Sequence, residues 1–293
     1  MSLGGADFLL LKNLGMPFSS VTYQPIALDA TFLLNPKTPP GSEPIRVSFK
    51  EVSNVSLEGT QAADLIFEMS ANNDSVALSA ATAGKESFTG SGGVQRLDFS
   101  VTGITGLTVN GNNGNDTLKV NSLDSAFNAG IALNGGGGND ILDATGSKKT
   151  VGGVTTGVNT VQNGGNNDDK LTGGIGNDTL DGGSGNDILK GGAGNDAILG
   201  GDGNDQIYGD AGNDTVSGGN NNDSILGGAG NDVLAGEAGI DTVKGEAGSD
   251  TIAGGSGSGA DLGDVVTDLA IDKDEDLILV FNDTSKLFEI MGV

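Results

Sequence analysis

Ten aspartates recur at intervals of nine residues: Asp169, Asp178, Asp187, Asp196, Asp205, Asp214, Asp223, Asp232, Asp241 and Asp250. A carboxylate is a hard oxygen ligand, so a regular file of them suits a hard divalent cation. Calcium fits before magnesium, because it takes six to eight oxygens in flexible geometry, whereas magnesium demands a tight octahedron and keeps its water. Paired carboxylates can also act as the acid and base of a glycosidase, but a fixed period over ten copies is better explained by metal. The absence of Cys and His removes thiolate and imidazole ligands, disulfides and every His-dependent triad. With no HExxH, GxSxG or P-loop motif in the chain either, no enzymatic activity is expected. A formal net charge of -25, from 14 Lys plus Arg against 39 Asp plus Glu, argues against nucleic acid or an anionic membrane as partner and for cations.

The elements that must position these carboxylates follow from the register. Residues 164–253 divide without a gap into ten nonapeptides, with Asp at position six and Leu, Ile or Val at position eight, from Leu171 to Ile252. One of the clearest copies is Gly182-Gly183-Ser184-Gly185-Asn186-Asp187-Ile188-Leu189-Lys190. Six Gly-rich residues predict a turn with left-handed backbone, and the last three a short strand with one aliphatic side chain pointing inward. Position four is Asn at Asn167 and Asn221, the residue type that best tolerates that conformation, and position two departs from Gly at Asp210, Glu237 and Glu246. Such a composition alone would suit a flexible linker, but the strict period with an invariant aliphatic position argues for order. No Phe occurs from residue 128 to 280, so the core here is expected to be thin.

This nonapeptide resembles the RTX (repeats-in-toxin) calcium-binding family. The resemblance implies a parallel β-roll, a right-handed β-solenoid in which two nonapeptides complete one coil and alternate repeats stack. The aspartates then form two ladders on opposite edges. One ladder runs from Asp169 through Asp187, Asp205 and Asp223 to Asp241, and the other from Asp178 through Asp196, Asp214 and Asp232 to Asp250. Turns about 4.8 Å apart would set neighbouring carboxylates repelling by roughly 3 kcal/mol per pair at an effective dielectric near 20. Calcium bridging successive turns through Asp and turn carbonyls cancels that repulsion, and ten repeats give about eight same-edge sites. The segment carries 14 Asp and two Glu against three Lys, a net of -13, which is the size of charge such an ion load offsets.

The flanks are less regular. All six prolines, from Pro17 to Pro44, mark an extended lead-in, and short alternating runs between Arg46 and Val101 predict β structure. Two upstream nonapeptides, Gly111 to Lys119 and Gly135 to Asp143, add Asp116 and Asp140 as candidate metal ligands; their spacing of 24 residues, and 29 to Gly164, resembles wider β-helix coils that narrow into the roll. After the repeats, Asp264 to Leu269 and Asp276 to Leu279 resemble the cap of RTX rolls. The run Asp272 to Asp276 resembles an EF-hand loop, but Leu277 stands where Gly is required.

The expected architecture is all-β throughout. An N-terminal Pro-containing lead-in and β region spans 1–105, transitional β-helix coils 106–163, the calcium-binding roll 164–263 and a C-terminal cap 264–293. The expected role is a secreted calcium-binding structural or adhesive surface protein whose roll folds on calcium, as a homo-oligomer, fibre or layer subunit, without nucleic acid or membrane insertion. The resemblance implies export by a type I system, and Phe8 to Leu11 is too short for a signal-peptide core. One alternative is the carrier domain of a larger secreted enzyme or toxin. An ice-binding roll is a second, disfavoured because position three is never Thr.

Overall fold

A computed structural model describes residues 64–69, 71–81, 84–91 and 104–253, together with strand backbone at 9–11, 31–33, 45–48, 55–57, 97–100, 265–266, 277–281 and 288–290. Among these residues every regular element is a strand. The chain divides into two units, Met1–Val158 and Asn159–Val293.

In the second unit strands alternate between two sheets. One sheet stacks Lys170–Thr172, Ile188–Ala193, Gln206–Ala211, Ser224–Ala229, Thr242–Ala247 and Val265–Val266; the other stacks Thr160–Asn166, Thr179–Ser184, Ala197–Asp202, Thr215–Asn220, Val233–Ala238, Thr251–Ala253 and Leu277–Phe281. Pairing is parallel with a step of 18 residues, as in Leu189 with Ile207 and Leu180 with Ile198, so two nonapeptides make one coil of a parallel β-roll. The strands are longer than the expected three residues. Ile188–Ala193 takes positions seven to nine of one repeat and one to three of the next, because the Gly pair at positions one and two continues the ladder before the chain turns. The pleat alternates, so position eight points inward: Leu171, Leu180, Leu189, Ile198, Ile207, Val216, Ile225, Leu234, Val243 and Ile252 are all buried. Each contributes about 1.5–3 kcal/mol through burial. The next inward position is Gly, so the interior holds one aliphatic side chain per strand and has no room for rings.

The first unit uses the same plan with unequal coils. Leu65 pairs with Leu107 and Leu107 with Ile131 in one sheet, while Val76 pairs with Leu118 and Leu118 with Leu142 in the other. The expected 24-residue spacing of the two upstream nonapeptides is therefore one coil, and the coil before it takes 42 residues. Its excess forms antiparallel strands, Lys85–Ser91 pairing with both Ser75–Ala80 and Leu97–Ser100. Further on, Lys148–Val151 and Val154–Gly157 form a separate exposed hairpin turning at Gly152 and Gly153, whose φ values are 58° and 82°. Wider coils accept larger side chains, and Phe67, Phe88 and Phe127 are fully buried, with the Phe67 and Phe88 rings 4.2 Å apart edge to face. Glu86 is buried as well. Its Oε1 accepts the N–H of Asp124, and its Oε2 is enclosed without a hydrogen bond. Burial pushes this carboxyl up to about 7, the Asp124 N–H opposes the shift and the Asp124 charge adds to it.

Of the lead-in only strand backbone is described, at Leu9–Leu11 and at Thr31–Leu33, which pairs antiparallel with Ile45–Ser48, so the first 44 residues are not all extended turn; the six prolines, the EF-hand-like run at 272–276 and most of the expected cap lie outside the described residues. Of the cap, Val265–Val266 and Leu277–Phe281 pair in parallel with strands of the last coil, and Phe288–Ile290 pairs antiparallel with Leu277–Phe281.

Candidate metal centre: two ladders of buried aspartates

Each repeat turns sharply between its strands, and the turn sets the aspartate. Position four of the turn needs both a left-handed backbone and a close approach. Gly203 has φ 140°, and a Cβ there would collide with the carbonyl of Gly185 one coil away. Asn167 and Asn221, which replace this Gly, adopt φ 75°, as expected for Asn. The acidic residues at position two, Asp210, Glu237 and Glu246, are left-handed too, with φ between 72° and 76°. That conformation costs a residue with a Cβ about 1–2 kcal/mol.

The turn brings all ten aspartates into the two expected ladders and buries each to 3% exposure or less. Their neighbours differ from bare stacked charges. The N–H of Asp169 donates to Asp187 Oδ1 at 2.7 Å, Asp187 to Asp205 at 2.8 Å, Asp205 to Asp223 at 2.9 Å and Asp223 to Asp241 at 2.8 Å. On the other edge Asp178 donates to Asp196 at 2.7 Å, and Asp196, Asp214 and Asp232 each donate to the next at 2.8 Å. One oxygen of each accepting carboxylate is thus spent on the backbone of the preceding coil.

The second oxygen is the reactive one. Oδ2 of Asp187, Asp196, Asp205, Asp214, Asp223 and Asp232 is buried and accepts no hydrogen bond. It faces the space beside the position-one glycine of its own turn, together with a carbonyl from the next coil. A Cβ built on Gly209 would stand 2.6 Å from Asp214 Oδ2 and also meet Gly227 O, and one on Gly227 would stand 2.5 Å from Asp232 Oδ2 and 2.7 Å from Gly245 O. Two hard oxygens with no donor between them are a cradle for a cation. Among the described residues no three Asp or Glu converge on one point, so a bound ion would take its remaining oxygens from turn carbonyls. A flexible, oxygen-only set of this kind suits calcium. Asp178 differs, its Oδ2 accepting the N–H of Gly174 at 2.7 Å.

Electrostatics point the same way. Burial pushes Asp187, Asp214 and Asp232 up to about 6 and Asp196 and Asp223 up to about 7; the backbone N–H opposes this, and neighbouring aspartates add to it. Asp205 is raised by burial in the same way. A positive ion held beside Oδ2 would supply the compensation that burial withholds.

Three features escaped the sequence reading. A second pair of ladders runs at position five, where each Asn accepts from the following coil: Asn195 N donates to Asn177 Oδ1 at 3.0 Å and Asn204 N to Asn186 Oδ1 at 3.0 Å. The Asn-Asp pair in seven of the ten repeats was its signal. A degenerate repeat precedes the first of the ten, visible only by stepping the register back nine residues. Thr160 takes the aspartate position and donates its hydroxyl to Asp178 Oδ1 at 2.9 Å, and Gln162 takes the aliphatic position, fully buried, donating to Thr172 O at 2.9 Å. Third, Asp74 lies one coil before Asp116, its N–H donating to Asp116 Oδ1 at 2.7 Å.

Asp116 and Asp140 stand together in the first unit, each 1% exposed, with Asp116 N donating to Asp140 Oδ1 at 2.7 Å. Burial raises both carboxyls, Asp116 to about 6.

Residues 163–198, 190–225, 199–234 and 226–259 each match the RTX calcium-binding nonapeptide repeat. Residues 163–259 are therefore an array of RTX calcium-binding nonapeptide repeats, and the described strands over this stretch form a parallel β-roll. No curated protein matches the chain.

Proposed function

We propose that this is an extracellular structural or adhesive surface protein, exported by a type I system, whose roll folds on taking up about eight calcium ions and whose N-terminal region mediates self-assembly into a fibre or layer. The chain acts through shape and surface rather than catalysis, a reading supported by a composition without His or Cys. The observation that carries the calcium-dependent folding is the pair of Asp ladders, each buried yet holding oxygens that no protein donor satisfies. Asp187, Asp196, Asp205, Asp214, Asp223 and Asp232 would hold six of these ions through Oδ2. Bound calcium supplies charge neutralisation and cross-coil bridging. The chain itself supplies the rest: the N–H of each Asp fixes the neighbouring carboxylate, and the position-one Gly leaves the space in front of it open. A requirement of roughly 0.1–1 mM, the range of extracellular modules, fits a protein that stays unfolded until it leaves the cell.

Circular dichroism of the full chain, in chelator and across a calcium titration, tests the folding step. The expected result is a cooperative gain of β signal, and an unchanged β spectrum in chelator would overturn it. Light scattering and electron microscopy in calcium, on the full chain and on one lacking residues 1–44, test assembly. Oligomers or fibres lost on truncation are expected; monomers in both samples would leave the carrier-domain reading in its place.

A further inference from the structure

We infer that the first unit holds a calcium site of its own, between the turns Gly111–Asp116 and Gly135–Asp140, outside the matched repeats. The inference rests on the reading that the roll binds calcium. Asp116 is 1% exposed; its Oδ1 accepts the N–H of Asp74, and its Oδ2 is buried with no hydrogen bond. A Cβ on Gly111 would meet both Asp116 Oδ2 and Gly135 O, the same pairing of a bare carboxylate oxygen with a next-coil carbonyl that recurs along the roll. Asp140 closes the far side, its Oδ1 accepting from Asp116 N at 2.7 Å. The companion amide ladder is present too: Asn115 N donates to Asn73 Oδ1 at 2.9 Å and Asn139 N to Asn115 Oδ1 at 3.0 Å.

The surroundings differ from the roll. Here the coils take 42 and 24 residues, so the cradle depends on the turn and not on the length of chain between turns. The turn at Asp74 lacks the glycine pair and is held instead by Asn112, left-handed at φ 76°, whose Nδ2 donates to Met69 O at 2.8 Å. The core beneath contains Phe67, Phe88 and Phe127 as well as aliphatics. A core of that size stabilises the coils without an ion, so calcium binds here to structure already formed, whereas in the roll binding and folding coincide.

Hydrogen exchange of the full chain with and without calcium tests this. Calcium should slow exchange at least tenfold in peptides covering 111–116 and 135–140. Asp116→Asn should abolish that protection while residues 164–253 remain fully protected. Gly111→Ala, which keeps the carboxylate but fills the space, should do the same and decides the matter if Asp116→Asn disturbs the fold. Exchange at 111–116 that ignores calcium, or protection that survives both variants, would overturn the inference while leaving the roll's calcium binding intact. A chain in which 164–253 also ignores calcium would instead remove the reading on which it rests.

Discussion

Six ladder aspartates, Asp187, Asp196, Asp205, Asp214, Asp223 and Asp232, divide their labour between their two oxygens. Oδ1 is occupied by a backbone N–H and Oδ2 is left for an ion, so the glycine beside Oδ2 matters as much as the carboxylate. Gly209→Ala is accordingly expected to raise the calcium midpoint of folding severalfold, because its Cβ enters the space shared by Asp214 Oδ2 and Gly227 O; a calcium titration followed by circular dichroism measures it. Glu86 lies away from the ladders, and its prediction concerns pH. Its folded-state value of about 7 lies above the ordinary 4.5, so its contribution to stability is fully present below about pH 4.5 and is lost as pH rises through 7. Glu86→Gln should leave stability near pH 4.5 little changed and raise it at pH 8 by on the order of 2 kcal/mol. Thermal melts of both proteins at the two pH values measure the difference.

At the scale of the strand and turn, the register of nine gave away most of the roll. Positions six and eight alone located every ladder aspartate and every inward aliphatic residue from Leu171 to Ile252, because a solenoid repeats one local solution. Strand length was not legible, since a Gly pair reads as turn while its backbone still continues the ladder. The coil at Thr160 was hidden because two polar residues fill the positions that define the period. Thr160 spares that coil an ion, and Thr160→Asp should reverse the economy. It adds a carboxylate next to Asp178, so calorimetry should count one more calcium and the roll should become less stable in chelator. Position within a ladder matters as well. Asp214 has a ladder aspartate on each side, Asp196 and Asp232, whereas Asp169 is the first of its ladder. Asp214→Ala should therefore raise the calcium midpoint more than Asp169→Ala, and equal midpoints would contradict stacking in one dimension.

Over the whole molecule, one kind of turn serves two units of different build. Over residues 164–253 the interior is a single aliphatic row per sheet, so cohesion depends on what joins the coils at their edges. In Met1–Val158 the described coils vary in length and enclose aromatic rings; the sequence disclosed β structure there, wider coils and the aspartates Asp116 and Asp140, but not Asp74, because no fixed period links it to them. The joints of the roll also have a direction. Aspartates accept from the coil before, and asparagines from the coil after, as in Ser249 N to Asn231 Oδ1 at 2.9 Å and Ile240 N to Asn222 Oδ1 at 2.7 Å. Ile240 and Ser249 take the last two asparagine positions, and neither offers an amide oxygen to a further coil. The amide joint thus stops before the sheets do: repeats duplicated upstream of Ile240 would find an acceptor waiting, whereas Val265–Val266 and Leu277–Phe281 continue the two sheets past residue 253 without one from Ile240 or Ser249.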